Sequence, residues 1–361
     1  MSLSDLLSAF ERQAGWCRNL EASFTGDVVD TLADQLRSDG PLVGLLPDWP
    51  GDPSTDAVPL RLCGALHALV LDGDSPLSAL YPPRATTLDR DALIRELNAA
   101  LRTNRPFFER MLQQPPQTNE IGRSAVLLGG FAEIARSTQL PLVLLEIGAS
   151  AGLNLRWDRY RFELGADAWG DPASPVQIRS QWQGARPALP PIIHVAERAA
   201  CDTAPLDPRA ESDRRSLLAY VWPEQLERMA RLRAALDLAR ADELTVERAD
   251  AAQWLERQLA RRRSGVATVV YHSIMWHYLA DDTRRAARAA IKQAGTRATT
   301  DAPLAWLALE FEAEGQPPAL TLTQWPGGLR RRLARAHPHG TSVTWLPNGD
   351  ELPPDRPGQA R

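Results

Sequence analysis

The pattern of apolar and polar positions changes character once along the chain, near residue 114. Before that point, apolar residues recur at the three- and four-residue spacing of helices that bury one face. Leu6, Leu7, Phe10 and Ala14 share one such face, and Val28, Leu32 and Leu36 a second. Leu60, Leu62, Ala65, Leu66, Leu69 and Val70 form a third, and Phe107, Phe108, Met111 and Leu112 close the last helix. Residues 1–113 are therefore expected to form an all-helical N-terminal domain. The run Leu62-Cys63-Gly64-Ala65-Leu66-His67 sets a lone histidine on an apolar helix, a place that a hydrogen-bonded core histidine fills more often than a ligand-binding one.

From 114 to 361, short apolar runs alternate with helical spacing, which predicts a second domain with a parallel sheet and helices on both of its faces. A helix is expected to open at Thr118-Asn119-Glu120, with Thr118 as its N-cap, ahead of a strand at 141–147. Further strands are expected at Ile192–Glu197, Leu244–Arg248, Val266–His272, Leu304–Glu310, Ala319–Thr323 and Thr341–Trp345. Helices are expected over 151–159, 222–239, 250–262 and 281–293. At about 160–190 the pattern breaks, and Tyr160–Leu164 and Val176–Arg179 read as an inserted hairpin around 165–175. The Pro-, Asp- and Gly-rich tail after Pro347 is expected to fray.

Composition narrows the function classes. The 361 residues are 44% hydrophobic and 24% charged, with a formal net charge of -4, which is ordinary globular material. That balance, without an aromatic–basic stripe, argues against a nucleic-acid partner and for a small molecule. Arg261-Arg262-Arg263 and Arg330-Arg331-Arg332 read as solvated helix faces. Cys17, Cys63 and Cys201 fit no disulfide or metal spacing, and His272 and His277 are poorly spaced for one metal on a helix face, so no metal is expected. No apolar run approaches the ~20 residues needed to span a bilayer, and the N-terminus lacks the pattern of a signal peptide. A soluble, cytoplasmic protein is the expectation.

The chemistry concentrates at the predicted strand ends, where open α/β sheets take their ligands. The run Pro141-Leu-Val-Leu-Leu-Glu146 leads into the small-residue loop Gly148-Ala149-Ser150-Ala151-Gly152, where a ligand can approach the backbone closely. Asp202 follows a small-residue run and can accept both hydroxyls of a ribose, or cap a turn. Asp250 precedes Ala251 and can take an exocyclic amine of adenine, or simply cap the following helix. The fourth strand ends at His272, ahead of Ser273-Ile274-Met275-Trp276-His277-Tyr278-Leu279. His272, His277, Glu120 and Glu310 are candidate bases, although His272 suits a structural hydrogen bond equally well. Gln117, Asn119 and Glu120 stand where they can close over a ligand or begin a helix.

In that order, Glu146-x-Gly148-x-x-x-Gly152, Asp202, Asp250-Ala251 and His272–Leu279 resemble the class I S-adenosylmethionine-dependent methyltransferases over residues 118–346. The whole chain also resembles an uncharacterised bacterial family known only as a domain of unknown function (family 2332). Gln117–Glu120, Gly148–Leu155, Cys201–Asp207 and Tyr271–Leu279 carry that likeness. The methyltransferase resemblance implies a Rossmann-like, mostly parallel sheet with an antiparallel pair at its far edge, supplied by 319–323 and 341–345. It implies S-adenosylmethionine as cofactor and S-adenosylhomocysteine as product. Glu146, Gly148, Ser150 and Gly152 would shape its methionine and ribose end, Asp202 would hold the ribose, and Asp250 with Ala251 the adenine. His272 or Glu120 would act as base, with Gln117, Asn119 and His277 lining the acceptor pocket. Ser150 departs from the family's middle glycine, and the Pro-Gly-Gly turn before the fifth strand is missing.

Gly148-x-Ser150-x-Gly152 also satisfies the nucleophile elbow of serine hydrolases. In that reading Ser150 attacks a carbonyl, with Asp301 and His337 or His339 completing a triad. Against it, no earlier strands precede the one at 141. A non-catalytic Rossmann-like binding protein is the third reading.

Overall fold

In the computed structural model, residues 2–353 are described, apart from 39–40, 47–48, 74, 262 and 314. Helices α1 (Leu3–Asn19), α2 (Ser23–Arg37), α3 (Val58–Leu71) and α4 (Arg90–Gln113) come first, and α5 (Ser124–Thr138) leads to strand β1 (Leu142–Ile147). Four short strands follow, β2 (Arg161–Leu164), β3 (Asp167–Trp169), β4 (Gln177–Arg179) and β5 (Gln181–Gly184), then β6 (Val195–Asp202). Next come α6 (Glu211–Ala219), α7 (Leu226–Arg240), β7 (Glu247–Arg248), α8 (Ala251–Leu259), β8 (Ala267–Ser273) and α9 (Asp281–Thr296). The chain then runs through β9 (Leu304–Glu310), β10 (Ala319–Trp325), β11 (Leu329–Ala336) and β12 (Ser342–Glu351).

Two compact units result: residues 1–118 with 210–233, and residues 119–209 with 234–361. This differs from the expected unbroken second domain, because α6 and the start of α7 belong with the N-terminal helices. Local chemistry explains the attachment. Glu224 accepts the Thr25 N–H at 2.8 Å and its hydroxyl at 2.7 Å, which satisfies an orphan donor in the first turn of α2. His67 Nδ1 meets the Ala219 carbonyl at 3.1 Å, and burial pushes its imidazole down to about 4, so a neutral ring donates there. His67 is a satisfied core histidine. Phe10, Val29, Leu32, Leu62, Leu66, Leu93, Leu97 and Phe108 form the centre of this unit's core.

The second unit is α/β. Its nine-stranded sheet has the order β5-β12-β11-β10-β9-β8-β1-β6-β7. The five strands from β9 to β7 are parallel, while β10, β11 and β12 extend the sheet antiparallel. Every residue of β1 is buried, as expected of a strand covered on both faces. Val143, Leu145 and Ile147 pack with Trp254 and Leu255 of α8 and Ile291 of α9. Tyr271 of β8, paired in register with Glu146 of β1, meets Phe131 of α5, which stacks on Trp157 at 4.6 Å.

Several sequence expectations are corrected here. Asn119 and Glu120 do not open an α-helix: Glu120 caps a single turn at Ile121–Arg123, and α5 starts at Ser124. The expected helix at 151–159 is a six-residue 3-10 segment, Asn154–Arg159. The hairpin of the insertion is β2 with β3, whereas β4 runs parallel to β2 and β5 joins the main sheet beside β12. The far edge carries three antiparallel strands beyond β9, not two, because Arg330–Arg332 lie on β11 and not on a helix. β12 carries the tail on to Glu351, and α8 ends before Arg262, which like 354–361 lies outside the described residues.

Candidate functional site

The chain leaves β1 for β6 and β7 on one side, then returns to β8 and β9 on the other, so the strand order reverses at β1. The crevice at the carboxyl ends of β1 and β8 is where sheets of this kind take ligands. The loop after β1 occupies it with Gly148 at φ 65°, Ser150 at φ 54° and Gly152 at φ 67°. Glycine adopts that region freely, whereas a serine there is strained.

Three of the five amides of the 148–152 loop, and that of Leu153 after it, are committed to the protein. Ala149 N–H donates to the Cys201 carbonyl at 3.2 Å and Gly152 N–H to the Ala149 carbonyl at 2.8 Å. Ser150 N–H donates to Asp202 Oδ2 at 2.8 Å, and Leu153 N–H to Asn119 Oδ1 at 2.9 Å. From beneath, Arg156 donates to the Gly152 carbonyl at 2.8 Å. It also forks onto Asp242 at 2.6 and 2.9 Å and reaches the Leu244 carbonyl at 3.1 Å. Asn154 joins the network, its amide donating to the Glu120 carbonyl and its oxygen accepting from Ser124. A loop with most of its amides spent, followed by no α-helix, lacks the converging N–H groups of a phosphate cradle.

The acids divide by environment. Glu146 is 2% exposed and accepts the Tyr271 hydroxyl at 3.1 Å. Burial pushes its carboxyl up to about 8, against the opposing Tyr271 hydrogen bond and Arg156 charge. Asp202 is half-buried and each oxygen takes one amide, Ser150 N–H on Oδ2 and Ala204 N–H on Oδ1 at 2.9 Å. Acceptor capacity remains on both. Asp250 is the N-cap of α8: its Oδ1 accepts from Ala252 and Gln253, and Oδ2 from the Thr283 hydroxyl at 2.9 Å. Ala251 is the buried first residue of that helix.

At the end of β8, His272 is 1% exposed and hydrogen-bonded at both nitrogens. Trp306 Nε1–H reaches Nε2 at 3.0 Å, and Glu310 Oε1 lies 2.7 Å from Nδ1. An indole can only donate, so Nε2 accepts, and Nδ1–H donates to Glu310. That leaves His272 no lone pair for a substrate proton: it is a strut. Glu310 Oε1 also accepts from the Met275 and Trp276 amides at 3.0 and 3.2 Å. These bonds hold a loop in which Ile274 sits at φ 49°, a conformation that a β-branched residue adopts only under constraint. His277 Nδ1 is 4.0 Å from Glu310 Oε2 on a half-exposed ring, which burial keeps below the usual histidine range.

The structure thus brings together Asn119, Glu120, Glu146, the 148–152 loop, Asp202, His272 and His277 in one unit, whereas Gln117 falls in the other. Sequence reasoning missed Arg156 and Asp242. A charged residue inside the apolar run Leu153-Asn154-Leu155-Arg156-Trp157 was the available signal of a buried ion pair. Among the described residues no three His, Cys, Asp or Glu side chains gather as a metal site, and no helix is long and apolar enough to cross a membrane.

Fold and site define an α/β protein with a glycine loop and an acid at a sheet's order reversal. A family model described as an uncharacterised protein conserved in bacteria (DUF2332) matches residues 7–345, and the chain belongs to that family. No curated protein and no solved structure matches the chain.

Proposed function

We propose that the sheet-bearing unit binds S-adenosylmethionine and transfers its methyl group to a small molecule. The observation that carries this reading is the Asp202 carboxylate at the end of β6, tied to the Ser150 amide of the glycine loop beside the order reversal. Half-buried and with acceptor capacity on both oxygens, it suits the paired hydroxyls of a ribose. The five parallel strands in the order β7-β6-β1-β8-β9 support a Rossmann-like frame of the methyltransferase kind. A loop with three of its five amides already bonded, beside a carboxylate, disfavours a phosphate-bearing dinucleotide. At the adenine end the fit is poorer, since the Asp250 carboxylate serves α8 and Thr283.

When bound, the sulfonium supplies an already activated methyl group, so the protein's work is to bind and orient. Asp202 and the 148–152 loop would hold the ribose and methionine parts. His277, backed by Glu310, is better placed than His272 to receive an acceptor's proton. Titration calorimetry with S-adenosylmethionine and S-adenosylhomocysteine is the test. Wild type is expected to bind both, and Asp202→Ala to lose about 10- to 100-fold, the worth of hydrogen bonds to a charged group. No binding by folded wild type, or undiminished affinity in Asp202→Ala, would sink the reading. Binding without turnover on any acceptor would leave a non-catalytic binding protein.

One observation favours the serine-hydrolase reading. Ser150 is 4% exposed, lies at positive φ after a strand, and its hydroxyl has no hydrogen-bond partner. Yet a serine nucleophile needs a base on its hydroxyl, and none is bonded to it. Ser150→Ala is expected to stabilise the ligand-free protein by about 1 kcal/mol, since it removes a buried, unsatisfied hydroxyl. Thermal melts check this, and covalent labelling of Ser150 by a fluorophosphonate would instead favour the hydrolase.

A further inference from the structure

We infer that Met275 decides what can lie on the glycine loop, its side chain standing over Gly148 in the ligand-free protein and swinging aside to admit a ligand. This rests on the ligand reading of the loop given above. A Cβ built on Gly148 would come within 2.6 Å of Met275 Cε, 2.8 Å of Cγ and 3.1 Å of Cβ. The thioether side chain therefore covers the face of the loop left bare by glycine, at the carboxyl ends of β1 and β8. Gly148 answers two demands at once, a φ of 65° and the close passage of Met275.

Two features make the side chain, and not the loop, the moving part. The Met275 and Trp276 amides are pinned on Glu310 Oε1, and Ile274 N–H donates to the Leu309 carbonyl at 2.8 Å, so the backbone is held from β9. Met275 itself is half-buried and unbranched, with three rotatable bonds, so it leaves one rotamer for another at little cost. A ligand that lays an extended aliphatic chain along Gly148, as the methionine part of the cofactor would, competes with this side chain for the same surface. Bulky or branched groups at position 275 should exclude it.

The test is calorimetric titration of S-adenosylhomocysteine into the full-length protein with wild type, Met275→Ala and Met275→Leu. If the covered form is about nine-tenths populated, Met275→Ala should bind about ten-fold tighter. Met275→Leu, still bulky, should bind no better than wild type. Met275→Ser, short and unbranched, serves as the shortened variant if the alanine protein does not fold. Equal or weaker binding by the shortened variant would overturn the inference while leaving the ligand reading in place. No binding by any of these proteins, each folded by circular dichroism, would remove the ligand reading and the inference with it.

Discussion

Arg156→Ala is expected to lower stability by about 3–5 kcal/mol, the usual cost of leaving half of a buried ion pair behind. Arg156 is 1% exposed and forks onto Asp242, while its remaining donors serve the Gly152 and Leu244 carbonyls. Removing it strands a carboxylate and two loop carbonyls together, and leaves a cavity the width of a guanidinium. Lysine should recover only part of the loss, because a single ammonium cannot reproduce the planar fork. The urea midpoint, followed by tryptophan fluorescence, measures the effect. A loss below about 1 kcal/mol would mean that Arg159, which also reaches Asp242 at 2.9 Å, takes over the pair.

Glu146→Gln should be more stable than wild type in alkaline solution and little different in acid. The carboxyl's ordinary value is 4.5, and burial raises it to about 8 in the folded protein. Below the ordinary value both folded and unfolded chains carry the proton, and wild type keeps its full stability. As pH rises from about 4.5 to 8, the unfolded chain releases the proton while the folded one retains it, so wild type is progressively destabilised. Glutamine carries no such proton and still offers an oxygen to the Tyr271 hydroxyl. The gap between the two proteins should therefore open across that window to roughly 3–5 kcal/mol. Denaturation at a series of pH values follows it, and a gap independent of pH would refute the account.

Some of this architecture was readable without coordinates, and the reason is physical. β1, β8 and β9 are largely buried, so they appear as apolar runs interrupted only near their ends. β11 was hidden because three consecutive arginines disguise its alternation; Arg331 and Arg332 find Glu133 and Glu312, while Leu333 and Ala334 turn inward. Candidate acids were findable at strand ends, but their partners were not. Asp250 as a cap and as an adenine acceptor look the same in one dimension, and only Thr283, 33 residues away, shows where its second oxygen goes. The same holds for His272, whose partners Trp306 and Glu310 lie two elements downstream.

The placement of residues 210–233 in the helical unit has a consequence for synthesis. The acceptor for Thr25 lies 199 residues downstream, and that for His67 lies 152 downstream. The helices of the first unit therefore emerge from a ribosome well before the segment that completes their core. At about 5–20 residues per second, that interval is on the order of ten seconds, during which apolar faces of α2 and α3 lack their final cover.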